Sequence, residues 1–376
     1  MAKLWKQLTS LEASIAGLAA LMVLVTACTL AQVHLGTYAA VKAYIRAPLV
    51  YWSPEGASWR IPVFPGGGLV GLLLLVNLAV FQAKRLTTWR KAGLWLSHLG
   101  LIILFIGEFI CGIWQVESRM PIDTGATKNY SEDYRLSELV LIDVTDKDED
   151  KVYALSPERL SRAGVVTDAR LPVTLNIKKF YQNAALEMAS PGLKQPFTAD
   201  TGIGARVAVF EAPPVTSDNE DDQPAAFVEV LAGGRSLGTW LLSASMGAPQ
   251  GFDFAGRRYQ LALRSRRHYL PFSLTLKKFS HDRYPGTDIP KNFSSLLRLR
   301  HPEKNEDRDV LVYMNSPLRY GGKTFYQASF GKEDTMTVLQ VVQNPGWTLP
   351  YVACTLVSLG LLLHFLIKLR YGAKAA

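Results

Sequence analysis

One histidine inside an apolar stretch has the type and position expected of a chemically active residue. His98 lies in the run Trp95-Leu-Ser-His-Leu-Gly-Leu101, seven residues after Lys91. At 1.5 Å per helical residue, its imidazole would lie roughly 10 Å into a membrane from the end marked by that lysine. An imidazole at that depth is costly unless it faces protein, water or a ligand. From spacing alone, a ligand role and a bond to the backbone of a neighbouring helix are equally good interpretations.

The helical face around His98 is apolar and aromatic. Gly93, Gly100 and Gly107 recur every seven residues and form a small-residue stripe suited to close helix contact. On a helix, His98 points about 160° away from Gly100. The residues that share the face of His98 are Leu94, Trp95, Ile102 and Phe105. Such a face resembles the wall of a porphyrin slot, so it fits a haem as well as ordinary packing.

Three further ionisable residues lie in apolar segments: Glu108, His34 and His364. His98 and His364 fall within roughly one helical turn of the same expected depth. Two histidines on different helices could clamp one haem iron. Glu108 lies ten residues beyond His98. It is either a buried functional acid or a residue that pairs with another group near the membrane interface.

The three cysteines exclude a thiol–disulfide role. Cys28, Cys111 and Cys354 all lie in apolar segments, and no Cys-x-x-Cys pair is present. The run Val25-Thr-Ala-Cys28 resembles the cleavage box of a bacterial lipoprotein. Because the apolar run continues past Cys28, we interpret it as part of a retained helix.

Common hydrolase and phosphate-binding motifs are absent from the sequence. It contains no Gly-rich phosphate loop, no Gly-x-Ser-x-Gly elbow and no His-Glu-x-x-His pair. His268, His281 and His301 lack metal-ligand spacing and are expected to be solvated loop histidines. The sequence therefore assigns no catalytic residue.

Four apolar stretches are long enough to cross a bilayer, which needs ~20 residues. They cover residues 13–41, 61–83, 92–115 and 347–367. The fold class predicted is an integral membrane helical protein of four spans with a large extracytoplasmic all-β domain. The domains expected are residues 1–115 with three spans, 116–346 with the β-rich domain, and 347–376 with the fourth span and a short tail.

Basic residues set the expected orientation, because they favour the cytoplasmic side. They crowd the loop 84–91 and flank the first and last spans, whereas the outer loop 42–60 holds three. Both termini are therefore expected in the cytoplasm and residues 116–346 outside. Residues 1–114 carry nine basic and three acidic side chains, and residues 347–376 carry three basic ones, which accounts for the whole net charge of +9. Because the excess belongs to apolar flanks, nucleic-acid binding is excluded as an explanation of the basic pI.

An internal repeat predicts two related β-modules. Residues 171–180 (LPVTLNIKKF) and 270–279 (LPFSLTLKKF) match at six of ten positions and lie 99 residues apart. Both alternate apolar and polar residues, which is the period of a strand. We interpret them as equivalent edges of two modules; the alternative is a coincidence between two amphipathic strands.

Five stretches carry motifs that can be compared with a known family. They are Pro62-Val-Phe-Pro-Gly-Gly-Gly68, Val76-Asn-Leu-Ala79, Thr88-Trp-Arg-Lys-Ala-Gly-Leu-Trp-Leu-Ser-His-Leu-Gly100, Met314-Asn-Ser-Pro-Leu-Arg-Tyr-Gly-Gly-Lys-Thr-Phe-Tyr-Gln327 and Asn344-Pro-Gly-Trp347. On these motifs the chain resembles the ResB (CcsB) family of system II cytochrome c biogenesis over residues 11–369.

The resemblance implies a subunit of a haem exporter and haem lyase in the bacterial cytoplasmic membrane. The implied partners are a ResC (CcsA) haem-handling protein, apocytochrome c and a thiol-reducing protein that acts on the apocytochrome. Haem b would be the transported substrate. The family's intramembrane haem ligand falls on His98, and the other axial ligand would come from the partner, which leaves His364 structural.

The chain also departs from the family machinery. It lacks the partner's Trp-rich segment and outer histidine pair, so it has no complete lyase site, and residues 120–130 keep only Asp123 and Gly125 of an acidic pattern. Two other functions remain open at this point. One is a membrane electron carrier with a haem held by His98 and His364, and the other is a scaffold that binds no haem.

Overall fold

The computed structural model describes residues 10–54, 59–84, 89–190, 195–216, 220–247, 249–287, 290–331 and 334–372. It divides into two compact units. The helical unit comprises Met1–Val116, Thr216–Asp218 and Gln343–Ala376, and the β unit comprises Glu117–Val215 and Asn219–Val342.

Four long helices build the helical unit: α1 Leu11–Leu35, α2 Gly67–Lys84, α3 Ala92–Trp114 and α4 Leu349–Gly372. α1 begins at Ser10, whose hydroxyl accepts a hydrogen bond from the Ala13 N–H at 3.2 Å. Such a cap satisfies one of the donors left free at a helix start. The helix then runs unbroken through Cys28, which is buried, and ends at Gly36.

Among the residues that the structure describes, three helical segments have the length and apolar composition of a membrane span: Leu11–Leu35, Trp89–Trp114 and Leu349–Arg370. A fourth apolar helix, Gly67–Ala83, is shorter. The prediction of a span over residues 61–83 is therefore wrong at its start, where the first residues are not helical. Ile61–Pro65 forms strand β2, paired with β1 (Leu49–Trp52) inside the predicted outer loop. The two prolines of this segment lack an N–H and favour an edge strand over a helix interior.

The glycine stripe of α3 packs against α4, as its spacing predicts. A Cβ added at Gly100 would lie 2.7 Å from the Ala353 carbonyl oxygen, and one at Gly93 would collide with the backbone of His364. Gly360 faces this stripe from α4, where a Cβ would lie 2.5 Å from the Ser97 amide nitrogen. Small residues are needed here because the two backbones are nearly in contact.

The remaining strands build the β unit. They are β3 Val116–Asp123, β4 Thr127–Asp143, β5 Lys151–Leu155, β6 Gly164–Val166, β7 Thr174–Tyr181, β8 Ala184–Met188, β9 Val207–Glu211, β10 Ala225–Ala232, β11 Arg235–Ser243, β12 Gln250–Phe254, β13 Arg257–Arg283, β14 Pro290–His301, β15 Glu306–Tyr313, β16 Leu318–Tyr320, β17 Lys323–Gly331 and β18 Met336–Gln343. A ten-stranded sheet follows the order β15-β14-β13-β4-β3-β18-β17-β16, with β12 and β5 added to its side. A four-stranded sheet follows β11-β10-β7-β6, and β8 pairs with β9. The large all-β region expected from the sequence is thus present.

The two largest of the three hydrophobic clusters formed by the described residues of the β unit are its main cores. The first gathers buried side chains of β4, β7, β10 and β11 around Trp240. The second gathers those of β3, β14, β17 and β18 around Phe272 and Phe325. The 27-residue strand β13 contributes side chains to both cores. Leu261 and Leu263 lie in the first core, whereas the buried residues of 270–279 lie in the second.

The two repeated segments share a backbone irregularity that their sequences did not reveal. In the pairing of β7 with β10, Lys178 is bulged out between Ile177 and Lys179. In the pairing of β13 with β14, Lys277 is bulged out between Leu276 and Lys278. The two lysines are equivalent positions of the repeat. One part of the interpretation is wrong, because both segments lie inside their sheets rather than at an edge.

Candidate functional site

His98 lies on the side of α3 opposite the glycine stripe. Its ring is half-buried and lies edge-on to Phe81 of α2, with the ring centroids 6.3 Å apart. Its Nδ1 atom is 3.2 Å from Oε1 of Gln82, also on α2. Within the described residues, no hydrogen bond reaches the Nε2 atom. His98 is therefore bonded to a neighbouring helix through one ring nitrogen and leaves the other one unused.

Gln82 is a second site residue that the sequence analysis missed. Its side chain is 6% exposed, and its Nε2 atom donates to the Trp95 carbonyl oxygen at 2.6 Å. One amide thus bonds both to His98 and to the backbone one turn before it. A usable signal was present: Gln82 and Asn77 are the only amides in the apolar run 61–83, and Gln82 lies close to the loop that leads to α3.

The other expected pocket residues differ in what they contact. Trp95 is half-buried, and its buried Nε1 has no acceptor among the residues described. Ile102 is half-buried. Phe105 packs against the cluster that includes Leu24 and Leu74, so its ring contributes to contacts among α1, α2 and α3.

His364 does not join His98. Its backbone lies against Gly93, on the face of α3 that contacts α4, whereas His98 faces α2. Its buried Nδ1 has no partner in the described part of the chain. Glu108 and His34 are both exposed and are not brought to His98.

The other polar residues of the helical motifs clamp helices together. Asn77 of α2 accepts a hydrogen bond from the Ser14 hydroxyl at 2.8 Å and donates to the Ser10 carbonyl. Asn344, which precedes α4, accepts from the Cys111 thiol at 3.2 Å and donates to Gln115. These motif residues have structural contacts that account for them.

The Phe-Tyr-Gln part of the long motif belongs to the second β core. Phe325 is 0% exposed, whereas Tyr326 is more than one-third exposed. Gln327 accepts a hydrogen bond from the Ser295 hydroxyl at 2.6 Å and donates to Thr337 at 2.9 Å. It also donates to the Ser329 carbonyl across a bulge of β17. This amide therefore joins three strands inside the core.

The Gly-Gly part of the same motif makes a two-residue turn between β16 and β17. Gly321 and Gly322 both have positive φ, at 58° and 73°, which is the conformation of the hairpin turn that favours glycine. A Cβ on Gly321 would also lie 2.8 Å from the Phe272 ring. Asp123 and Gly125 likewise belong to a tight turn, in which the Ala126 N–H donates to the Asp123 carbonyl.

The three histidines of the β unit are not solvated loop residues, which corrects the expectation. All lie on β13 or β14, and His281 and His301 are almost fully buried. Their burial follows from the alternation of two long strands that was not recognised in the sequence. His281 bonds to Asp334 through Nδ1 at 3.0 Å, and His301 stacks on Phe272.

His268 pairs with Asp133 where β4 bulges against β13, at a distance of 3.5 Å. Burial opposes ionisation of Asp133, but the adjacent His268 side chain and hydrogen bonds from the N–H groups of Arg135 and Leu136 hold the pKa of its carboxyl below the ordinary value. The arrangement stabilises the bulge. Within the described ranges, no three His, Cys, Asp or Glu side chains form a metal-binding cluster.

Comparisons with known proteins add information on the β unit. Residues 226–338 match the model of the ResB-like family. Protein NrfI of Wolinella succinogenes is 38% identical over 97 residues, which is 26% of this chain and 11% of that protein. The matched stretch thus spans about a tenth of the relative's length. The match runs from β10 into the first residues of β18 and includes Phe325 and Gln327 of the long motif. Over residues 226–338 the chain is therefore similar to the ResB-like family, the family that its motifs resemble.

Proposed function

We propose that this chain is a membrane subunit of cytochrome c biogenesis. With a ResC/CcsA-type partner, it would carry haem b as a substrate across the cytoplasmic membrane and support its covalent attachment to apocytochrome c. The match of residues 226–338 to the ResB-like family supports the general role. A thiol-reducing protein would keep the apocytochrome cysteines ready for attachment, because this chain has no Cys-x-x-Cys pair of its own.

The observation that carries the haem part of the proposal is the unused nitrogen of His98. Its Nδ1 is held by Gln82, whereas Nε2 has no hydrogen bond within the described residues. Imidazole nitrogen is a common axial ligand of haem iron. Trp95 and Ile102 lie within one turn of His98 and would contact the porphyrin. Phe105, already packed against α1 and α2, would support the floor of the site.

The second axial ligand is assigned to the partner rather than to His364. The α4 helix lies against the glycine stripe, whereas His98 faces α2. An intrachain pair of histidines would require one of the two helices to turn about its axis. Such a rotation would drive side chains into the nearly touching backbones of α3 and α4.

We propose that α2 is the fourth span, with both chain ends in the cytoplasm and the β unit outside. Its 18 residues rise about 27 Å, close to the ~30 Å of a bilayer core. The basic residues of loop 84–91 favour the cytoplasmic side. The β unit would then contact the partner or the unfolded apocytochrome.

We further propose that the β unit arose as two related modules. The support is the bulge at Lys178 and Lys277, because independent strands have no reason to share both a sequence and an irregularity at the same position. The residue before the bulge is buried in each case, Ile177 in the first core and Leu276 in the second.

An absorption spectrum of the purified protein tests the haem proposal. Wild type, His98→Ala and His364→Ala would each be co-expressed with and without a ResC-type partner. We expect haem only with the partner, its loss in His98→Ala and its retention in His364→Ala. Haem bound without the partner and lost in either variant would instead establish an electron carrier. Equal haem in wild type and His98→Ala would remove the ligand role and favour a scaffold.

A further inference from the structure

We propose that Gln82 is a positioning residue that keeps His98 in the tautomer with a proton on Nδ1 and a free lone pair on Nε2. The link to haem iron rests on the function proposed above. The tautomer itself does not, because it follows from the hydrogen bonds around the two side chains.

The orientation of the Gln82 amide follows from the Trp95 carbonyl. That oxygen lies 2.6 Å from the Gln82 nitrogen, and a carbonyl oxygen only accepts hydrogen bonds. The NH2 group of Gln82 must therefore point at Trp95. A reversed amide would place two oxygens against each other at hydrogen-bond distance.

The orientation of the amide then decides the proton on His98. With its nitrogen committed to Trp95, Gln82 presents Oε1 to His98 Nδ1 at 3.2 Å. An amide oxygen only accepts, so Nδ1 must carry the proton. In neutral imidazole one nitrogen donates and the other accepts. The Nε2 atom is consequently unprotonated and has a lone pair for a metal.

The surroundings preserve this arrangement. Gln82 is 6% exposed, and it lies on a helix proposed to span the membrane, where little water competes for its hydrogen bonds. The Trp95 carbonyl has two lone pairs and can accept from Gln82 in addition to its helical donor. Because Trp95 is three residues before His98 on the same helix, the amide also holds the ring in a fixed rotation.

Such a contact is typical of a histidine that ligates a metal. The nitrogen opposite the metal usually donates to a carboxylate, carbonyl or water, which fixes the tautomer and raises the basicity of the ligand. Loss of this kind of partner typically weakens metal binding about 10- to 100-fold. We expect a loss of this size in haem affinity for Gln82→Leu.

The first test uses the protein without haem. Solid-state ¹⁵N NMR of histidine-labelled protein in bilayers distinguishes protonated from unprotonated ring nitrogens, and His98→Ala identifies the signals of His98. We expect protonated Nδ1 and unprotonated Nε2 in the wild type, and a mixture of tautomers in Gln82→Leu. Gln82→Glu with its carboxyl group protonated should restore the wild-type pattern, because the carboxyl O–H can donate to the Trp95 carbonyl oxygen while the other oxygen accepts from Nδ1. An unchanged His98 pattern in Gln82→Leu would overturn the proposal.

The second test measures haemin binding by the complex with the ResC-type partner. The matched control is Asn77→Leu, which removes another buried amide of α2 that contacts Ser14 rather than His98. Affinity should fall about 10- to 100-fold in Gln82→Leu and stay near wild type in the control. Equal losses in both variants would mean that Gln82 only supports helix packing. If the wild type binds no haemin, the proposed function fails, whereas the ¹⁵N pattern still decides the role of Gln82.

Discussion

The two units satisfy their buried polar side chains in different ways. In the β unit, Ser295, Gln327 and Thr337 bond to one another in the middle of an apolar core. In the helical unit, Asn77 and Gln82 each bond to a neighbouring helix, and few side chains are fully buried. A protein core in water gains free energy by burying apolar side chains, whereas helices in lipid gain it by close contact and interhelical hydrogen bonds.

The difference shows where chemistry can reside. In the long motif of the β unit, Gln327 has its polar atoms bonded to neighbouring strands, and Gly321 and Gly322 form a turn, so these residues account for the fold. In the described part of the helical unit, His98 keeps a nitrogen that no protein group uses. The family motifs thus combine residues that build the β unit with one that is available for a ligand.

The largest expected difference in stability between the two units comes from replacing a phenylalanine in each. Phe325→Ala should lower the free energy of unfolding of the β unit by about 3–5 kcal/mol, the usual cost of removing a buried ring. Phe105→Ala should cost the helical unit clearly less, because its ring is half-buried and lipid can fill the space. Hydrogen exchange with mass spectrometry reads each unit separately. Equal losses of unfolding free energy would show that a phenylalanine ring stabilises the helical unit as much as it stabilises the β unit.

The second prediction concerns the contact between α3 and α4. Gly360→Ala should destabilise the helical unit by about 1–3 kcal/mol, as overpacking does, because the added methyl group would meet the Ser97 backbone at 2.5 Å. Gly112→Ala is the control, since nothing lies within 4 Å of its Cβ position. Melting temperatures in detergent should fall for the first variant only. A similar fall in both would mean that alanine at a glycine position destabilises these helices whatever the packing around it.

Serine replacements compare the polar groups directly. Ser295→Ala removes the buried hydrogen bonds that Ser295 makes with Gln327 and Thr337 and should cost about 1–3 kcal/mol. The Ser97 hydroxyl bonds only to carbonyl oxygens, those of Gly93 and Val357, so Ser97→Ala leaves no donor unsatisfied. We expect Ser97→Ala to lower the free energy of unfolding by about 0.6 kcal/mol or less, which is the average contribution of a hydrogen bond between membrane helices. Denaturant titration measures both, and a larger effect at Ser97 would reverse the comparison.

The smallest expected effect compares two Gly-Gly turns within the β unit. Gly233 and Gly321 both have positive φ, so alanine at either should cost about 1–2 kcal/mol of backbone strain. Gly321→Ala should destabilise the β unit more than Gly233→Ala does. The added methyl group at Gly321 must displace the Phe272 ring, whereas nothing lies within 4 Å of the Cβ position of Gly233. Thermal unfolding of the two variants measures the difference. The packing role of Gly321 would be refuted by identical melting temperatures.

The sequence predicted much of the helical unit but less of the β unit. Apolar length is a local property, so three long helices were evident. The start of α2 was missed, because residues 61–65 are as apolar as a span but form a paired strand. Strand β4 was missed as well, since charged and polar residues dominate its first half and its pairing with β13 overrides their preference.

The sequence by itself determined the direction in which the side chains of α3 point. Helical periodicity placed His98 opposite Gly100, and the spacing of the glycines identified the face that meets another helix. Tertiary structure decided what each face meets. Gln82 contacts His98, which is 16 positions away in the sequence. Asn344 contacts Cys111, which is 233 positions away. Periodicity gives the direction in which a side chain points, but only the packing of helices brings a particular partner to that direction.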